Sequence, residues 1–439
     1  MQFDYAKAHL SKDKLTRIAE PLLSYARELS DIWNGEGAAE RHESSIRLPK
    51  DLPLREDVEC AYRKTCTDSL KYVVVVGIGG SNLGAKAVYD ALRRAYDRTS
   101  EQGPELIFAD TTDARLLSDI IKLLESVENV CDALITIITK SGMTTETIAN
   151  AEIILNAFEK KFGASVRDQC IVISDTGSAL HTYATEHGFA TLAIPNEVGG
   201  RYSVFSAVGL FPLFAAGADI DALRAGAEAI TPSCLSPDLE HNPALQSAAA
   251  FCSAYGEGKI INVNFVFDPE LESLGKWYRQ LIGESIGKEK DESGNVVRVG
   301  ITPEVSVGSI DMHSVGQLYF GGPSNKITTF IRAAKTGKGI SVPETRLFPE
   351  LIPEITGRSA EDVADAIYAG VLRAYEAASM PFTEVTLADI SPYEIGQFLQ
   401  FKMIEMMYLG RLFNVNPFDQ PSVEAYKSET RKILEEKEK

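Results

Sequence analysis

The chain of 439 residues is long enough for two or three domains of roughly 150 residues each. Its 44% hydrophobic and 24% charged residues are typical of a soluble globular protein. The formal net charge of -18 argues against nucleic acid and anionic membranes as partners. A site for an anion must therefore draw its positive potential from helix N-termini and a few Lys or Arg.

The six cysteines predict neither a zinc site nor a disulfide framework. None forms a CxxC pair, no histidine cluster accompanies them, and a chain of this size needs no disulfide scaffold. The first ten residues, MQFDYAKAHL, lack the layout of a signal peptide, and no apolar run approaches the ~18 residues of a transmembrane helix. We therefore expect a reduced, cytoplasmic protein.

The first half of the chain alternates short apolar runs with helical patterns. Polar residues 1–55, with helical spacing at 15–33 and a loop at 48–53, predict an N-terminal helical arm. Beyond the arm, the pattern predicts strands at 72–76, 105–109, 133–139, 170–175 and 190–195, and helices at 83–96, 148–157 and 178–187. Such alternation favours a parallel sheet covered on both faces, in a first α/β domain at 56–197.

The second half predicts another α/β domain, at 198–415, and a C-terminal helix within 416–439. Its strands are expected at 259–267, 326–332 and 382–389, and a charged loop at 288–295. Its helices are expected at 201–216, 221–230, 243–255, 273–282, 314–320, 360–378, 392–412 and 421–436.

A loop rich in hydroxyls, KSGMTTET at 140–147, follows the strand at 133–139 and precedes a helix. Unpaired backbone N–H groups and the helix dipole make such a place suited to a phosphate group. Its candidate ligands are the hydroxyl groups of Thr139, Ser141, Thr144, Thr145 and Thr147 and the charge of Lys140. An ordinary capped helix is the alternative, because Ser and Thr are common N-caps.

A glycine loop, GIGGSNLG at 77–84, follows the strand at 72–76. It fails the dinucleotide pattern GxGxxG because Asn82 occupies the last glycine position, and it fails the P-loop because Ala85 stands where Lys is required. Neither NAD nor ATP is indicated. Ser81 can bind a sugar hydroxyl or a phosphate, while simple turn packing is the alternative. Two such loops on one sheet suggest one pocket at a topological switch point.

Three further places carry candidate charges. Arg201 follows two glycines and can approach an anion, unless it lies on the surface. Gln280 and Glu284 are four residues apart and share a helix face if the helix continues through Gly283. Glu284 is a candidate base, although an exposed carboxylate is the common alternative.

His313 and Lys427 complete the candidates. His313 is one of only six histidines, and histidine exchanges protons near neutral pH, although a structural role is more common. Lys427 lies on the last predicted helix, where an exposed lysine is the ordinary expectation.

Taken together, these segments resemble the glucose-6-phosphate isomerase (phosphoglucose isomerase) family, in its shorter bacterial form. The matching motifs are VGIGGSNLG at 76–84, TKSGMTTET at 139–147, GGRYSVFSAVGLFP at 199–212, WYRQLIGESIGK at 277–288, DMHSVGQ at 311–317 and NPFDQPSVEAYK at 416–427. The first two alone indicate a generic sugar-isomerase domain. The segments with Glu284, His313 and Lys427 make the resemblance specific.

The resemblance implies two sugar-isomerase (SIS) domains, each a doubly wound parallel sheet in an αβα sandwich, with an N-terminal arm and C-terminal helices. It implies a homodimer that shares its active sites, and neither a metal nor an organic cofactor. The implied reaction is the reversible conversion of glucose 6-phosphate to fructose 6-phosphate through ring opening and a cis-enediol, in glycolysis and gluconeogenesis. Two alternatives stay open, an isomerase that also accepts mannose 6-phosphate and a non-catalytic sugar-phosphate sensor.

The resemblance also implies roles for single residues. Glu284 would move a proton between C2 and C1, Arg201 would stabilise the intermediate, and His313, from the partner subunit, would open the ring with help from Lys427. Residues implied to contact the sugar are Gly80, Ser81 and Gln280, and those implied to bind the phosphate are Thr139, Lys140, Ser141 and Thr144. Three positions depart from the usual pattern: Thr139 replaces Ser, Met143 replaces Thr, and Ile286 replaces Glu.

Overall fold

Two five-stranded sheets organise the protein, in a computed structural model that describes residues 1–37, 41–93, 103–334 and 339–436. The strands are β1 Gln2–Asp4, β2 Tyr72–Val76, β3 Glu105–Ala109, β4 Ala133–Ile138, β5 Cys170–Asp175, β6 Ala190–Ile194, β7 Ile261–Val266, β8 Lys288–Lys290, β9 Val296–Val299, β10 Thr302–Val307, β11 Lys326–Ala333 and β12 Phe382–Leu387.

Helices surround both sheets. They are α1 Lys12–Ala19, α2 Leu23–Asn34, α3 Leu52–Thr65, α4 Leu83–Leu92, α5 Ala114–Ser126, α6 Thr145–Phe162, α7 Ala179–Glu186, α8 Ala207–Ala215, α9 Ile220–Cys234, α10 Pro243–Gly256, α11 Glu272–Ile286, α12 Ile310–Ser314, α13 Gly316–Gly321, α14 Ala360–Ala377, α15 Pro392–Phe413 and α16 Glu424–Glu436.

The first sheet has the order β3-β2-β4-β5-β6, and all its neighbouring strands are parallel. Alternate residues of β2 enter different cores: Val73 and Val75 lie in one cluster of buried apolar side chains, and Val74 and Val76 in another. The sheet is therefore buried on both faces, which explains why its strands read as continuous apolar runs. This confirms the parallel α/β class predicted from the sequence.

The second sheet has the order β1-β12-β11-β7-β10. Its four main strands are parallel, and β1 joins the edge antiparallel to β12. One face packs Phe265 and Phe330 against Tyr368 and Tyr375 of α14. The N-terminal arm is therefore not purely helical, because its first residues pair with a strand almost four hundred positions away along the sequence.

Several sequence predictions were wrong at the level of single elements. The helix predicted at 15–33 is two helices, since Pro21 lies in a short 3-10 turn between α1 and α2. The loop predicted at 48–53 is a 3-10 turn, His42–Lys50, followed by α3. The charged loop predicted at 288–295 belongs to the hairpin of β8 and β9. Helix α5 and strand β10 were missed.

Other boundaries moved by a few residues. The helix predicted at 201–216 starts only at Ala207, after a 3-10 turn at Gly200–Tyr202. The helix predicted at 314–320 is the pair α12 and α13. The helix predicted at 83–96 ends at Leu92 as α4, and positions 94–96 of that prediction lie outside the described residues.

Helices α9 and α15 approach each other at glycines. A Cβ atom on Gly396 of α15 would lie 2.0 Å from the Leu223 carbonyl oxygen, and one on Gly226 of α9 would lie 1.8 Å from the Tyr393 carbonyl oxygen. Both distances are well inside van der Waals contact, so neither position accepts a side chain without separating the helices.

Gly396→Ala should lower the free energy of unfolding by about 3 kcal/mol, since the methyl group overpacks a backbone contact. Thermal unfolding monitored by circular dichroism measures the change. Gly370→Ala on α14 is the matched control, because its Cβ has no neighbour within 4 Å. The control should raise stability slightly, as Ala is the better helix former, and equal melting temperatures for the two variants would contradict the packing argument.

Candidate active site

The hydroxyl-rich loop at 140–147, called here the phosphate loop after its predicted role, leads from β4 into α6 as the sequence predicted. Thr144 is the N-cap residue of α6, yet its side chain makes no capping hydrogen bond. Its Oγ1 lies 2.9 Å from Oγ1 of Thr139, which is 1% exposed. The helix therefore starts without the side-chain cap that the alternative interpretation required, and its first N–H groups have no intrahelical partner.

The Lys140 side chain binds backbone carbonyl groups of residues 196 and 198. Its Nζ donates to the carbonyl oxygens of Asn196 at 2.6 Å and Val198 at 2.9 Å. Burial lowers the pKa of Lys140, and the nearby Asp175 and Glu197 oppose that shift. The sequence suggested a lysine charge for the phosphate, whereas the structure places that charge on the backbone of another turn.

Two residues of the loop, Ser141 and Met143, are exposed to solvent. Ser141 is exposed, and its Oγ accepts a hydrogen bond from the Met143 N–H at 3.3 Å. The Met143 side chain is 58% exposed. The loop therefore presents the Ser141 hydroxyl at its surface, beside the buried hydroxyl pair of Thr139 and Thr144.

The glycine loop contacts the turn that carries Arg201. A Cβ atom on Gly80 would lie 2.3 Å from the Gly200 carbonyl carbon, and Ser203 Oγ donates to the Gly80 carbonyl oxygen at 3.2 Å. The close contact between these two turns leaves no room for a side chain at position 80, which explains why that residue is glycine. The same contact joins the glycine loop to the turn that carries Arg201. Ser81 follows in the same short 3-10 turn and is partly exposed.

Gln280 and Glu284 share one face of α11, which runs through Gly283 to Ile286. Gln280 Nε2 donates to Glu284 Oε1 at 3.2 Å. The Gln280 side chain also borders the glycine loop, since a Cβ on Gly79 would lie 2.9 Å from its Nε2. Gln280 Oε1 is buried and has no hydrogen-bond partner among the described residues, so it can accept a bond from a ligand.

Arg201 faces the carboxylate from the other side. Its NH1 lies 3.6 Å from Glu284 Oε2, and its side chain is 1% exposed while that of Glu284 is 32% exposed. Arg201 Nε donates to Ser285 Oγ at 2.8 Å. Adjacent residues of α11 therefore hold the arginine, one by charge and one by a hydrogen bond.

The remaining donors of Arg201 bind the segment 416–420. NH1 donates to Gln420 Oε1 at 2.9 Å, and NH2 donates to the carbonyl oxygens of Asp419 at 3.0 Å and of Pro417. Lys288 adds an ion pair to the Asp419 carboxylate at 2.9 Å. Burial lowers the pKa of Lys288, and Asp419 opposes the shift.

Ser285, Lys288 and Gln420 were not singled out from the sequence. Each lies inside a segment that carries the family resemblance, and that position was the only signal available. Beside them, a cavity of about 590 Å³ opens between the β8–β9 hairpin and residues 416–422. Lys288 and Asp419 line it, so it adjoins the Arg201 cluster.

Among the described residues, no hydrogen bond or ion pair joins His313 or Lys427 to Glu284. His313 is exposed on α12, and its side chain has no hydrogen-bond partner among the described residues. Lys427 pairs with Glu424 of its own helix at 2.7 Å, and no described residue of α16 is buried. Over the described ranges, no three or more His, Cys, Asp or Glu side chains are grouped so that they could hold a metal ion. The described helices are also too short or too polar to cross a membrane.

The two largely parallel sheets, together with the family match, define an isomerase of the sugar-phosphate class. Within that class, the chain belongs to the phosphoglucose isomerase family, whose model matches residues 50–439. It is 32% identical over 444 residues to the glucose-6-phosphate isomerase of Listeria monocytogenes, covering 99% of this chain and 95% of that protein. It is 35% identical over 397 residues to that of Symbiobacterium thermophilum, covering 88% and 86%.

Solved structures give the same fold. A hypothetical protein from Thermus thermophilus superposes with a TM-score of 0.86 at 30% identity, over 99% of both chains. A glucose-6-phosphate isomerase from Chlamydia trachomatis superposes with a TM-score of 0.80 over 100% of this chain and 89% of that one. At 19% identity, the second likeness shows the fold alone.

Arg201→Lys should loosen the segment 416–420 and lower the free energy of unfolding by about 3 kcal/mol, since an ammonium cannot replace the planar fork of donors. Limited proteolysis should then remove the C-terminal helix faster, and thermal unfolding reports the stability. Arg298→Lys is the control, because that side chain is 77% exposed and only approaches Glu289 at 3.5 Å. Unchanged proteolysis at Arg201→Lys would show that other contacts hold the segment.

Proposed function

We propose that the protein interconverts D-glucose 6-phosphate and D-fructose 6-phosphate, an aldose–ketose isomerisation within one molecule. The observation that carries the proposal is the Glu284 carboxylate, held between Gln280 and the buried Arg201. Relatives that match nearly the full length of the chain carry the name of this activity. The reaction would take place in the cytoplasm, in glycolysis and gluconeogenesis, without a metal or an organic cofactor.

Glu284 is the base that removes the proton from C2 of the open-chain sugar and returns it to C1. Removal of the proton gives an enediolate with negative charge on the former carbonyl oxygen, and this becomes the cis-enediol when that oxygen takes up a proton. The Arg201 guanidinium lies 3.6 Å from the carboxylate and supplies a fixed positive charge at that place. Because protein acceptors already occupy most of its N–H groups, it acts by charge and by holding its surroundings in place.

The substrate phosphate binds at the start of α6. The helix supplies N–H groups and its dipole, and the hydroxyls of Thr139, Ser141 and Thr144 supply further donors. Gly80, Ser81 and Gln280 contact the sugar, for which the unpaired Gln280 Oε1 is an acceptor. A phosphate bound in this way needs no excess of basic residues, which agrees with the net charge of -18.

Ring opening uses a second copy of the chain. His313 is exposed on α12, and three apolar side chains of α12 and α13 are exposed as well: Ile310 by 64%, Leu318 by 48% and Phe320 by 38%. Exposed apolar side chains near this histidine support a surface that a partner covers. In a homodimer, His313 would enter the partner's site and move the proton between the ring oxygen and a hydroxyl.

Lys427 would close the same site from α16. The helix has no buried described residue and exposes Tyr426, Ile433 and Leu434. These apolar side chains are available to pack once the helix lies over substrate or partner. The lysine would then assist ring opening and hold that end of the sugar.

Glu284→Gln should reduce isomerisation by at least about 1000-fold, because the amide cannot accept the C2 proton. Proton NMR in D₂O measures exchange at C2, and calorimetry measures binding of fructose 6-phosphate, which should persist. Glu272→Gln at the start of the same helix is the control, since Glu272 pairs with Lys276 four residues on. Undiminished exchange in Glu284→Gln would exclude Glu284 as the base.

Mixing two inactive variants tests the shared site. Glu284→Gln and His313→Ala should each be inactive alone. A mixed dimer has one site with both changes and one intact site, so random reassembly should restore about a quarter of wild-type activity. The mixture is unfolded and refolded together before the assay.

The control mixes Glu284→Gln with Arg201→Lys under the same conditions. Both of these residues come from one subunit, so their mixed dimers should contain no intact site, and the mixture should show no activity beyond that of Arg201→Lys alone. Equal recovery in the two mixtures, or none in either, would contradict a site completed by the partner's histidine.

A further inference from the structure

The turn formed by residues 196–198, called here the 196–198 turn, has all three of its carbonyl groups occupied by side chains. Lys140 Nζ binds the carbonyl oxygens of Asn196 and Val198 at 2.6 and 2.9 Å. His42 Nδ1 binds the one between them, on Glu197, at 2.6 Å. A carbonyl oxygen only accepts, so the imidazole carries hydrogen on Nδ1. Neither His42 nor this turn was singled out from the sequence.

The 196–198 turn connects the two ends of the proposed substrate site. Lys140 belongs to the phosphate loop, between Thr139 and Ser141. Two residues after Val198 begins the 3-10 turn Gly200–Tyr202, which carries Arg201. Asn196 adds a further contact between the turn and the sheet. With its side-chain amide in the orientation that satisfies its hydrogen bonds, the amide nitrogen donates to the two carboxylate oxygens of Asp175 at 2.8 and 2.9 Å. Asp175 ends β5, next to the strand that leads into the phosphate loop.

His42 adds a connection to the C-terminal segment. Its ring stacks on Phe418, with ring centroids 5.4 Å apart and an interplanar angle of 28°. Phe418 in turn contacts Tyr202, with centroids 5.2 Å apart. The His42 ring therefore contacts both the backbone that precedes Arg201 and the segment 416–420 that Arg201 binds.

From these contacts we infer that Lys140 and His42 are positioning residues. They set the distance between the phosphate anchor at α6 and the Arg201–Glu284 pair, and so select sugar phosphates by the number of carbons between the phosphate and the reacting C2. This inference rests on the proposed isomerisation. It assigns the Lys140 ammonium to the protein backbone, and it leaves the phosphate to backbone N–H groups and hydroxyls.

The alternative role for Lys140 is a direct charge partner of the phosphate. Its two hydrogen bonds to carbonyl groups are charge-assisted and short, and turning the side chain toward the phosphate would break both. The 196–198 turn would then lose its support while the substrate binds. The two roles predict different effects on a ligand that touches only the phosphate loop.

The test compares Lys140→Met, Lys140→Arg and wild type with three ligands: fructose 6-phosphate, a linear hexitol 6-phosphate and inorganic phosphate. For Lys140→Met, kcat should fall about 10- to 100-fold, as expected when reacting groups shift by about 1 Å. Hexitol phosphate affinity should fall with it, whereas the inhibition constant of inorganic phosphate should change less than about twofold. Lys140→Arg should recover most of kcat, because it still donates to carbonyl groups.

His42→Ala should lower kcat by about fivefold, and His42→Asn, whose amide can donate from nearly the same place, should restore part of it. Lys161→Met is the matched control. Lys161 Nζ also donates to two backbone carbonyls, on Glu125 at 2.6 Å and on Val127, yet it belongs to the end of α6. It should leave kcat and both affinities unchanged, and melting temperatures show whether each variant is folded.

Three outcomes would overturn the inference. If inhibition by inorganic phosphate weakens as much as binding of hexitol phosphate does, Lys140 is a phosphate ligand. An unchanged kcat in folded Lys140→Met and His42→Ala would remove the positioning role. A kcat loss in Lys161→Met equal to that in Lys140→Met would show a general effect on the fold. A wild-type protein without turnover refutes the proposed function instead, and the ratio of hexitol phosphate to inorganic phosphate affinity then decides the positioning role by itself.

Discussion

The buried guanidinium of Arg201 is the constraint on which the site depends. A charge removed from water is stable only when it is paired and hydrogen-bonded. Arg201 meets that requirement with Ser285 and Glu284 from α11 and with the segment 416–420. One side chain thus joins three distant parts of the sequence. The candidate base Glu284 is held in position by its ion pair with this arginine.

Positive charge is scarce in the protein as a whole. With a net charge of -18, the chain cannot attract an anion by its average potential. The start of α6, which follows the carboxyl end of the central strand β4, offers N–H groups and a helix dipole without any basic side chain. Lys140 is consequently available for another purpose, and its ammonium binds the 196–198 turn.

Parallel sheets were predictable because strands buried on both faces are continuously apolar, as in β2 and β4. The phosphate loop and the shared face of Gln280 and Glu284 follow from local periodicity, and both lie where they were expected. Strand β1 was not predictable, since three polar or mixed residues become a strand only beside β12. Strand β10, with the sequence TPEVSV, was missed for a similar reason, because it is paired with β7 but has few apolar residues.

The sequence by itself determined the class of fold, the family resemblance and the identity of the candidate residues, because strand periodicity, helix spacing and short motifs are local properties of a chain. Only the tertiary structure decided what each side chain contacts. It joined Lys140, a predicted phosphate ligand, to two backbone carbonyls, brought His42 to Glu197 and Phe418, and left His313 exposed. Hydrogen bonds between residues more than fifty positions apart depend on how sheets and helices pack, and no local pattern records that packing.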